Sequence, residues 1–109
     1  MNEKALAIKQ RIGDERGVAT RYGSLATCYR QKGDIARAME FHRKDLAITE
    51  RIGDHHNAAI SYFNLGNLYR ENIGDLAQAR AHYEKAKALY EMVGDVPRAQ
   101  QAARALRGL

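Results

Sequence analysis

Residues 62–75 read Tyr-Phe-Asn-Leu-Gly-Asn-Leu-Tyr-Arg-Glu-Asn-Ile-Gly-Asp. The closing Gly74-Asp75 pair is a signal that one helix stops and another begins. A glycine just past a helix end can adopt the left-handed conformation that closes the helix. An aspartate directly after it can cap the first free N–H groups of the next helix. The stretch therefore predicts a helix, a tight turn and the start of a second helix.

The same dipeptide recurs along the chain at even intervals. Gly-Asp begins at positions 13, 33, 53, 74 and 94, and only the third interval is longer than the others, by a single position. Between these signals apolar residues recur at steps of three and four, and no segment alternates every second residue as a half-buried strand would. We predict no strand and six helices, at residues 2–12, 15–32, 34–52, 55–73, 75–93 and 95–107.

The unit that repeats is two helices long. Aromatic and leucine positions recur after two of these intervals, with Tyr22, Leu25 and Tyr29 matching Tyr62, Leu65 and Tyr69. When the sequence is aligned with itself at a displacement one residue longer than these two intervals, Ala38 aligns with Ala79. A unit of about 40 residues made of two antiparallel helices is typical of an α-solenoid. The predicted fold is therefore all-α, an α-solenoid of antiparallel helix pairs.

The side chains distinguish this pattern from HEAT and armadillo repeats, which remain open on period alone. Residues 62–69, the Gly74-Asp75 turn, and then Ala79, Tyr83 and Ala86 resemble a tetratricopeptide repeat. That family places an aromatic, a Leu-Gly pair and a Tyr on its first helix, and an Ala, an aromatic and an Ala on its second. Residues 22–38 repeat the pattern more loosely. His42 then takes the aromatic position of the second helix and Asp45 the following alanine position.

The second helix runs about two turns beyond the usual unit of about 34 residues. This length is similar to the long-repeat subgroup found in kinesin light chains and spindle-orientation adaptors. On this resemblance the whole chain is one array. Residues 1–13 form the second helix of a partial repeat, residues 14–53 and 54–94 form two full repeats, and residues 95–109 form a capping helix or a partial third repeat.

Composition excludes several classes of protein. The 109 residues include one proline and 45% hydrophobic residues, so a packed core is expected rather than a disordered chain. No apolar run approaches the roughly 18 residues needed to cross a membrane, and none follows Met1, so we expect neither a membrane span nor a secretory signal. The lone Cys28 cannot form an internal disulfide, which favours a reducing compartment, and we expect a cytoplasmic protein.

No arrangement of residues indicates catalysis, and we predict a protein that is not an enzyme and binds no cofactor or metal. Of the four histidines, His42 and His82 lie on different helices, and the adjacent His55 and His56 point about 100° apart on a helix. Cys28 has no histidine at helical spacing, which predicts a buried or half-buried thiol and not a nucleophile. The glycines mark turns and do not form a phosphate loop.

The resemblance implies a concave groove lined by the first helices of the repeats. The matching positions are Thr27, Arg30, Gln31, Ile60, Phe63, Asn64, Asn67, Arg70 and Glu71, together with Thr20, Gly23 and Ser24. Asn64 and Asn67 can each donate to and accept from a peptide backbone. Arg30 and Arg70 can pair with carboxylates, and Phe63 offers an apolar contact. We therefore expect a scaffold that binds an extended or helical, acidic peptide, and no small-molecule substrate.

Two other functions compete with peptide binding. The net charge is +5, a mild basic bias that lacks the dense stripe of a nucleic-acid binder, so a nucleic-acid-binding repeat is the less favoured alternative. The other alternative is a structural fragment that self-assembles. The first predicted helix places Ala5, Leu6, Ile8 and Ile12 on roughly one face with no helix to cover it. A homo-oligomer formed through the terminal helices would bury that face.

Overall fold

The computed structural model describes the backbone of residues 3–109 and the side chains of residues 11–109. This part of the chain is all-helical and contains no strand, as predicted. It measures 51 × 31 × 18 Å along its principal axes. Five α-helices follow in order: α1 (Glu3–Gln31), α2 (Ile35–Arg51), α3 (His55–Leu68), α4 (Leu76–Met92) and α5 (Val96–Arg107). A π-helical turn, Tyr69–Ile73, extends α3 to Gly74.

Four of the five Gly-Asp pairs form the predicted turns. Their glycines have φ between 72° and 84°: Gly33, Gly53, Gly74 and Gly94. The aspartate after each glycine accepts a hydrogen bond from the backbone N–H three residues ahead, as Asp54 does from Asn57. The amide of Asp54 also donates to the carbonyl oxygen of Thr49 at 2.8 Å, which closes α2. Each dipeptide thus ends one helix and starts the next.

The fifth pair, Gly13-Asp14, lies inside α1 and forms no turn. The prediction of separate helices at residues 2–12 and 15–32 is therefore wrong, and the described part has five α-helices instead of six. Residues 11–14 repeat residues 51–54 residue for residue, so local sequence does not explain the difference. At residue 53 a turn lets α3 pack back against α2. Residues 3–31 form a continuous helix, which keeps the backbone hydrogen bonds that a turn at residue 13 would break.

The helices pack as successive antiparallel pairs, α1 with α2 and α3 with α4, and α5 packs on α4. Two buried clusters hold the layers together. The first joins Ala38 and Met39 of α2 to Leu65 and Leu68 of α3. The second joins α3, α4 and α5 through Ala59, Tyr62, Ala86, Tyr90 and Ala99. Each pair buries its apolar face against the next, which is how a solenoid is built.

The repeat pattern also predicts that its aromatic, leucine and small residues are largely buried, and these positions differ in the structure. Ala38, Tyr62, Leu65, Gly66, Ala79 and Tyr83 are buried, whereas Tyr22, Tyr29 and Tyr69 are half-buried. The prediction is wrong for Leu25, which is 42% exposed although the matching Leu65 is 1% exposed. Leu65 lies on α3 between α2 and α4, whereas α1 packs mainly on α2 among the described helices.

Candidate binding groove

A cleft of about 270 Å³ opens between α1, α2 and the first half of α3. It brings together three of the predicted groove residues, Thr27, Ile60 and Asn64. The positions Thr20, Gly23 and Ser24 also line it, as the repeat pattern suggested. The residues that sequence reasoning did not assign to the groove are Arg16, Ala19, Asp45, Thr49, Asp54 and Asn57. The available signal was Asp45, which stands where the repeat pattern has an alanine.

Next to this cleft, the two predicted arginines meet at one carboxylate. The guanidinium of Arg30 on α1 forms an ion pair with Oε2 of Glu71. Nη2 of Arg70 lies 3.5 Å from Oε1 of the same side chain. All three side chains are partly exposed. A single carboxylate cannot neutralise two guanidinium groups, so this cluster has a residual positive charge.

Two other predicted groove residues contact Tyr83 instead of facing the cleft. The Tyr83 hydroxyl donates a hydrogen bond to Oδ1 of Asn67 at 2.5 Å. The ring of Phe63 is half-buried and packs on the ring of Tyr83, with 5.3 Å between centroids. Asn67 therefore keeps only its amide N–H groups free of this bond, and Phe63 contributes to packing. Gln31 is exposed at the end of α1 and does not line the cleft.

Asp45 has an unusual electrostatic environment within the cleft. Burial raises the pKa of its carboxyl to about 6, the nearby Asp54 carboxylate adds to the rise, and a hydrogen bond from the Ser61 hydroxyl opposes it. Asp54 itself is paired with Nε of Arg16 at 3.2 Å. None of the ion pairs among the described side chains includes Asp45. The cleft therefore contains a carboxylate with no cationic partner in this part of the chain.

His42 lies on the same helix and is 3% exposed. Burial, helped by the nearby Arg30 charge, lowers the pKa of its imidazole to about 4. Its Nδ1 atom is buried and has no hydrogen-bond partner among residues 11–109. This neutral ring occupies the position that Tyr83 occupies in the next repeat, where the tyrosine hydroxyl reaches Asn67.

The remaining candidate groups for chemistry are dispersed. Cys28 is exposed, so the prediction of a buried or half-buried thiol is wrong. Nε2 of His56 lies 3.0 Å from Oδ2 of Asp95, and Nδ1 of His82 lies 2.7 Å from the carbonyl oxygen of Gln78. Within residues with described positions, no group of three or more histidine, cysteine or acidic side chains is placed to hold a metal ion. In the same part of the chain, no helix combines the length and apolarity needed to cross a membrane.

Comparison with known families agrees with this architecture. Two models described as tetratricopeptide repeat match the chain, one at residues 18–58 and the other at residues 40–92. Together they extend over residues 18–92, more than two thirds of the chain. Comparisons with curated proteins and with solved structures give no match. With its helix pairs, glycine-aspartate turns and matched repeats, this chain belongs to the tetratricopeptide repeat family, whose members generally mediate protein–protein interaction or scaffolding.

Proposed function

We propose that the chain is a non-catalytic scaffold that binds an acidic peptide, extended or helical, along the surface formed by α1 and α3. The observation that carries this proposal is the cluster of Arg30, Glu71 and Arg70. Two guanidinium groups share one partly exposed carboxylate, so a carboxylate of the ligand can pair with the arginine that Glu71 leaves incompletely neutralised. The lone Cys28 supports a reducing compartment, and we place this binding in the cytoplasm.

The polar side chains of the cleft support an extended ligand. Asn64 lies on α3 opposite Thr27 on α1, and both line the cleft. An asparagine amide can donate to and accept from a peptide backbone at the same time. The Thr27 hydroxyl donates to the carbonyl oxygen of Gly23 at 3.2 Å, which leaves its oxygen lone pairs free to accept. A peptide lying here would reach the arginine cluster with one end and the cleft with the other.

Selection from a display library of short random peptides tests the proposal, because it does not require the natural ligand to be identified first. Wild-type protein should enrich peptides that contain Asp or Glu. The double variant Arg30→Glu, Arg70→Glu should bind the enriched peptides more than about tenfold more weakly, since charge-assisted pairs at both positions are replaced by repulsion. Fluorescence anisotropy on the selected peptides measures the change.

The control variant is Arg104→Glu, Arg107→Glu, which makes the same change in net charge on exposed residues of α5. It should leave the affinity within about twofold if only the long-range field of the protein changes. Equal losses in both double variants would show that net charge and not the groove attracts the peptide. Unchanged affinity in the Arg30→Glu, Arg70→Glu protein would move the site elsewhere.

A second proposal, self-assembly, is favoured by the exposed apolar residues between α4 and α5. Met92 is 63% exposed, Val96 is 59% exposed, and Val93 between them is also exposed. Val96 also lines a shallow hollow, together with Ala99 and Ala103 of α5 and the polar side chains of Lys87, Glu91 and Gln100. The other predicted contact, the face formed by residues 5, 6, 8 and 12, lies outside the described side chains except for Ile12. Pairing of terminal helices would extend or close the array.

A further inference from the structure

The two repeats differ at one pair of facing positions. In the second repeat these positions are Phe63 and Ala86, and both contribute to a closed core in which Ala86 has no exposed surface. In the first repeat the matching residues are Gly23 and Asp45. A small residue thus replaces the phenylalanine, and a carboxylate replaces the alanine. The space that is filled in the second repeat is the open cleft in the first.

The glycine makes room for the carboxylate. A Cβ atom built on Gly23 would lie 2.8 Å from Oδ2 of Asp45, which is closer than real Cβ contacts. The Asp45 side chain therefore lies against the backbone of α1, and any larger residue at position 23 would displace it. The two departures from the repeat pattern depend on each other and form one structural unit.

Neither departure favours the folded state. A glycine within a helix has an entropic cost relative to alanine, and a partly buried carboxylate loses hydration without gaining a cation. Residues that weaken a fold while lining a cleft are typical of binding sites, where stability is traded for function. Asp45 and Gly23 therefore indicate a ligand that supplies the cation that the Asp45 carboxylate lacks in the described part of the fold.

The charges around Asp45 define that ligand. Among the described side chains of α1, the only cation lining the cleft is Arg16, which is already paired with Asp54 at the start of α3. On its own helix the buried His42 has a pKa lowered to about 4 and is neutral near pH 7. From α3 the neighbouring groups are the neutral Ser61 and the acidic Asp54, so an unbalanced negative charge faces the cleft.

The walls complement a cation with an apolar stem. The Thr20 hydroxyl donates to the Arg16 carbonyl oxygen at 2.9 Å, as Thr27 does to Gly23, so both hydroxyl oxygens can accept bonds from a ligand. Ala19 and Ile60 provide apolar surface for methylene groups. An ammonium or guanidinium group has only hydrogen-bond donors, which match the acceptor oxygens of Asp45, Thr20 and Thr27.

We propose that this cleft is a subsite for a positively charged side chain, lysine or arginine, of the bound peptide, with Asp45 as its counter-charge. The proposal rests on the peptide-binding function proposed above and adds a second specificity element to it. Gly23 and Arg30 are two turns apart on α1, roughly 10 Å along the helix axis. The peptide would therefore carry both a basic residue for the cleft and an acidic residue for the arginine cluster.

A small-molecule titration tests the cleft without any peptide. The probe is Nα-acetyl-lysine methylamide, followed by the backbone amide signals of Gly23, Thr27 and Asn64 in NMR spectra. The uncharged norleucine analogue and the Asp45→Asn variant should each bind at least about fivefold more weakly, because both lack one partner of the ion pair. The control Glu84→Gln removes an exposed carboxylate of α4 outside the cleft and should bind the lysine probe like wild type.

The peptide library then separates failure of this inference from failure of the proposed function. Wild-type protein should enrich Lys or Arg at one position, and Asp45→Asn should lose that preference while keeping the one for acidic residues. Enriched acidic peptides without a basic position overturn the subsite and leave the scaffold function standing. If no peptide is enriched, the scaffold proposal fails, and the titration alone decides the subsite. Equal binding of the lysine and norleucine probes, or of the lysine probe to wild type and Asp45→Asn, overturns it.

Discussion

Asp45 makes ligand binding at the cleft sensitive to acid. Because the pKa of its carboxyl is raised to about 6, the group is charged near pH 7.5 and mostly protonated near pH 5. His42, whose pKa is lowered to about 4, stays largely neutral over this range, whereas the raised pKa of Asp45 lies within it. We expect affinity for the lysine probe to fall severalfold from about pH 7.5 to about pH 5. The same NMR titration at both pH values measures this, and the fall should vanish in Asp45→Asn.

His42 should limit stability at low pH. Its folded-state pKa of about 4 lies below the ordinary value of 6.5, so between these values the unfolded chain binds more protons. Its contribution to stability is therefore lost as the pH falls through this window. The variant His42→Phe also removes the unpartnered Nδ1 atom and should raise the free energy of unfolding by about 1–2 kcal/mol near pH 7.

The gain in free energy of unfolding from His42→Phe should be larger near pH 5 than near pH 7. Urea unfolding at the two pH values measures it. The Asp45 carboxyl titrates in the same window with the opposite sign, since its raised pKa lets the folded state bind the proton first. The wild type and the His42→Phe variant both contain Asp45, so its effect cancels in the difference between their free energies of unfolding. A gain that is the same at both pH values would contradict the assignment of a neutral, buried His42.

Single residues also show how far sequence reasoning about the groove could go. The repeat pattern placed Asn64 and Thr27 on facing helices, and both line the cleft. Asn67 fits the same pattern but accepts a hydrogen bond from Tyr83, a partner on another helix that no local pattern reveals. Asp45 was visible as a departure from the pattern, yet its place in the cleft depends on the space above Gly23. The repeat pattern could predict which residues lie on the first helices, whereas it could not predict the contacts that these residues make with other helices.

At the scale of the helix, the identical sequences at residues 11–14 and 51–54 offer a matched pair of substitutions. Gly53 has φ of 72°, where an alanine is strained, so Gly53→Ala should lower the free energy of unfolding by about 1–2 kcal/mol. Gly13 lies within α1 with open space around its Cβ position. Gly13→Ala should therefore raise the free energy of unfolding by about 0.5–1 kcal/mol.

Chemical denaturation of the two variants measures both values. Opposite signs are expected from one continuous α1. A loss of similar size at both positions would instead place a turn at residue 13, as the sequence pattern predicted. Local sequence cannot decide between these states, because glycine is compatible both with a helix and with a turn.

At the scale of the whole molecule, the self-assembly proposal makes a prediction about mass. If the apolar surface between α4 and α5 is a contact, light scattering should give a mass that rises above 12.3 kDa as the protein concentration increases. Met92→Glu combined with Val96→Glu should then restore the monomer mass, because two charges would be buried in the contact. The control Ala81→Glu, Ala88→Glu adds the same charges on exposed positions of α4.

A mass that stays at the monomer value over a hundredfold range of concentration would exclude the self-assembly proposal. If the Met92→Glu, Val96→Glu protein remains associated, the contact lies elsewhere, and Ile12→Glu then tests the first part of α1. The peptide-binding proposal predicts neither result, so the two functions are measured independently.

The π-helical turn at Tyr69–Ile73 allows the second repeat to be one residue longer than the first and still end its first helix in the same kind of turn. The amide of Asp75 donates to the carbonyl oxygen of Tyr69, six residues back, whereas the amides of Asp54 and Asp95 reach carbonyls five residues back. The wider loop takes up the one additional residue of the second repeat, and Gly74 still turns with the usual left-handed φ. One additional residue at this point is therefore accommodated within the π-helical turn. The spacing of the Gly-Asp pairs changes by one residue, whereas the turn between the two helices is kept.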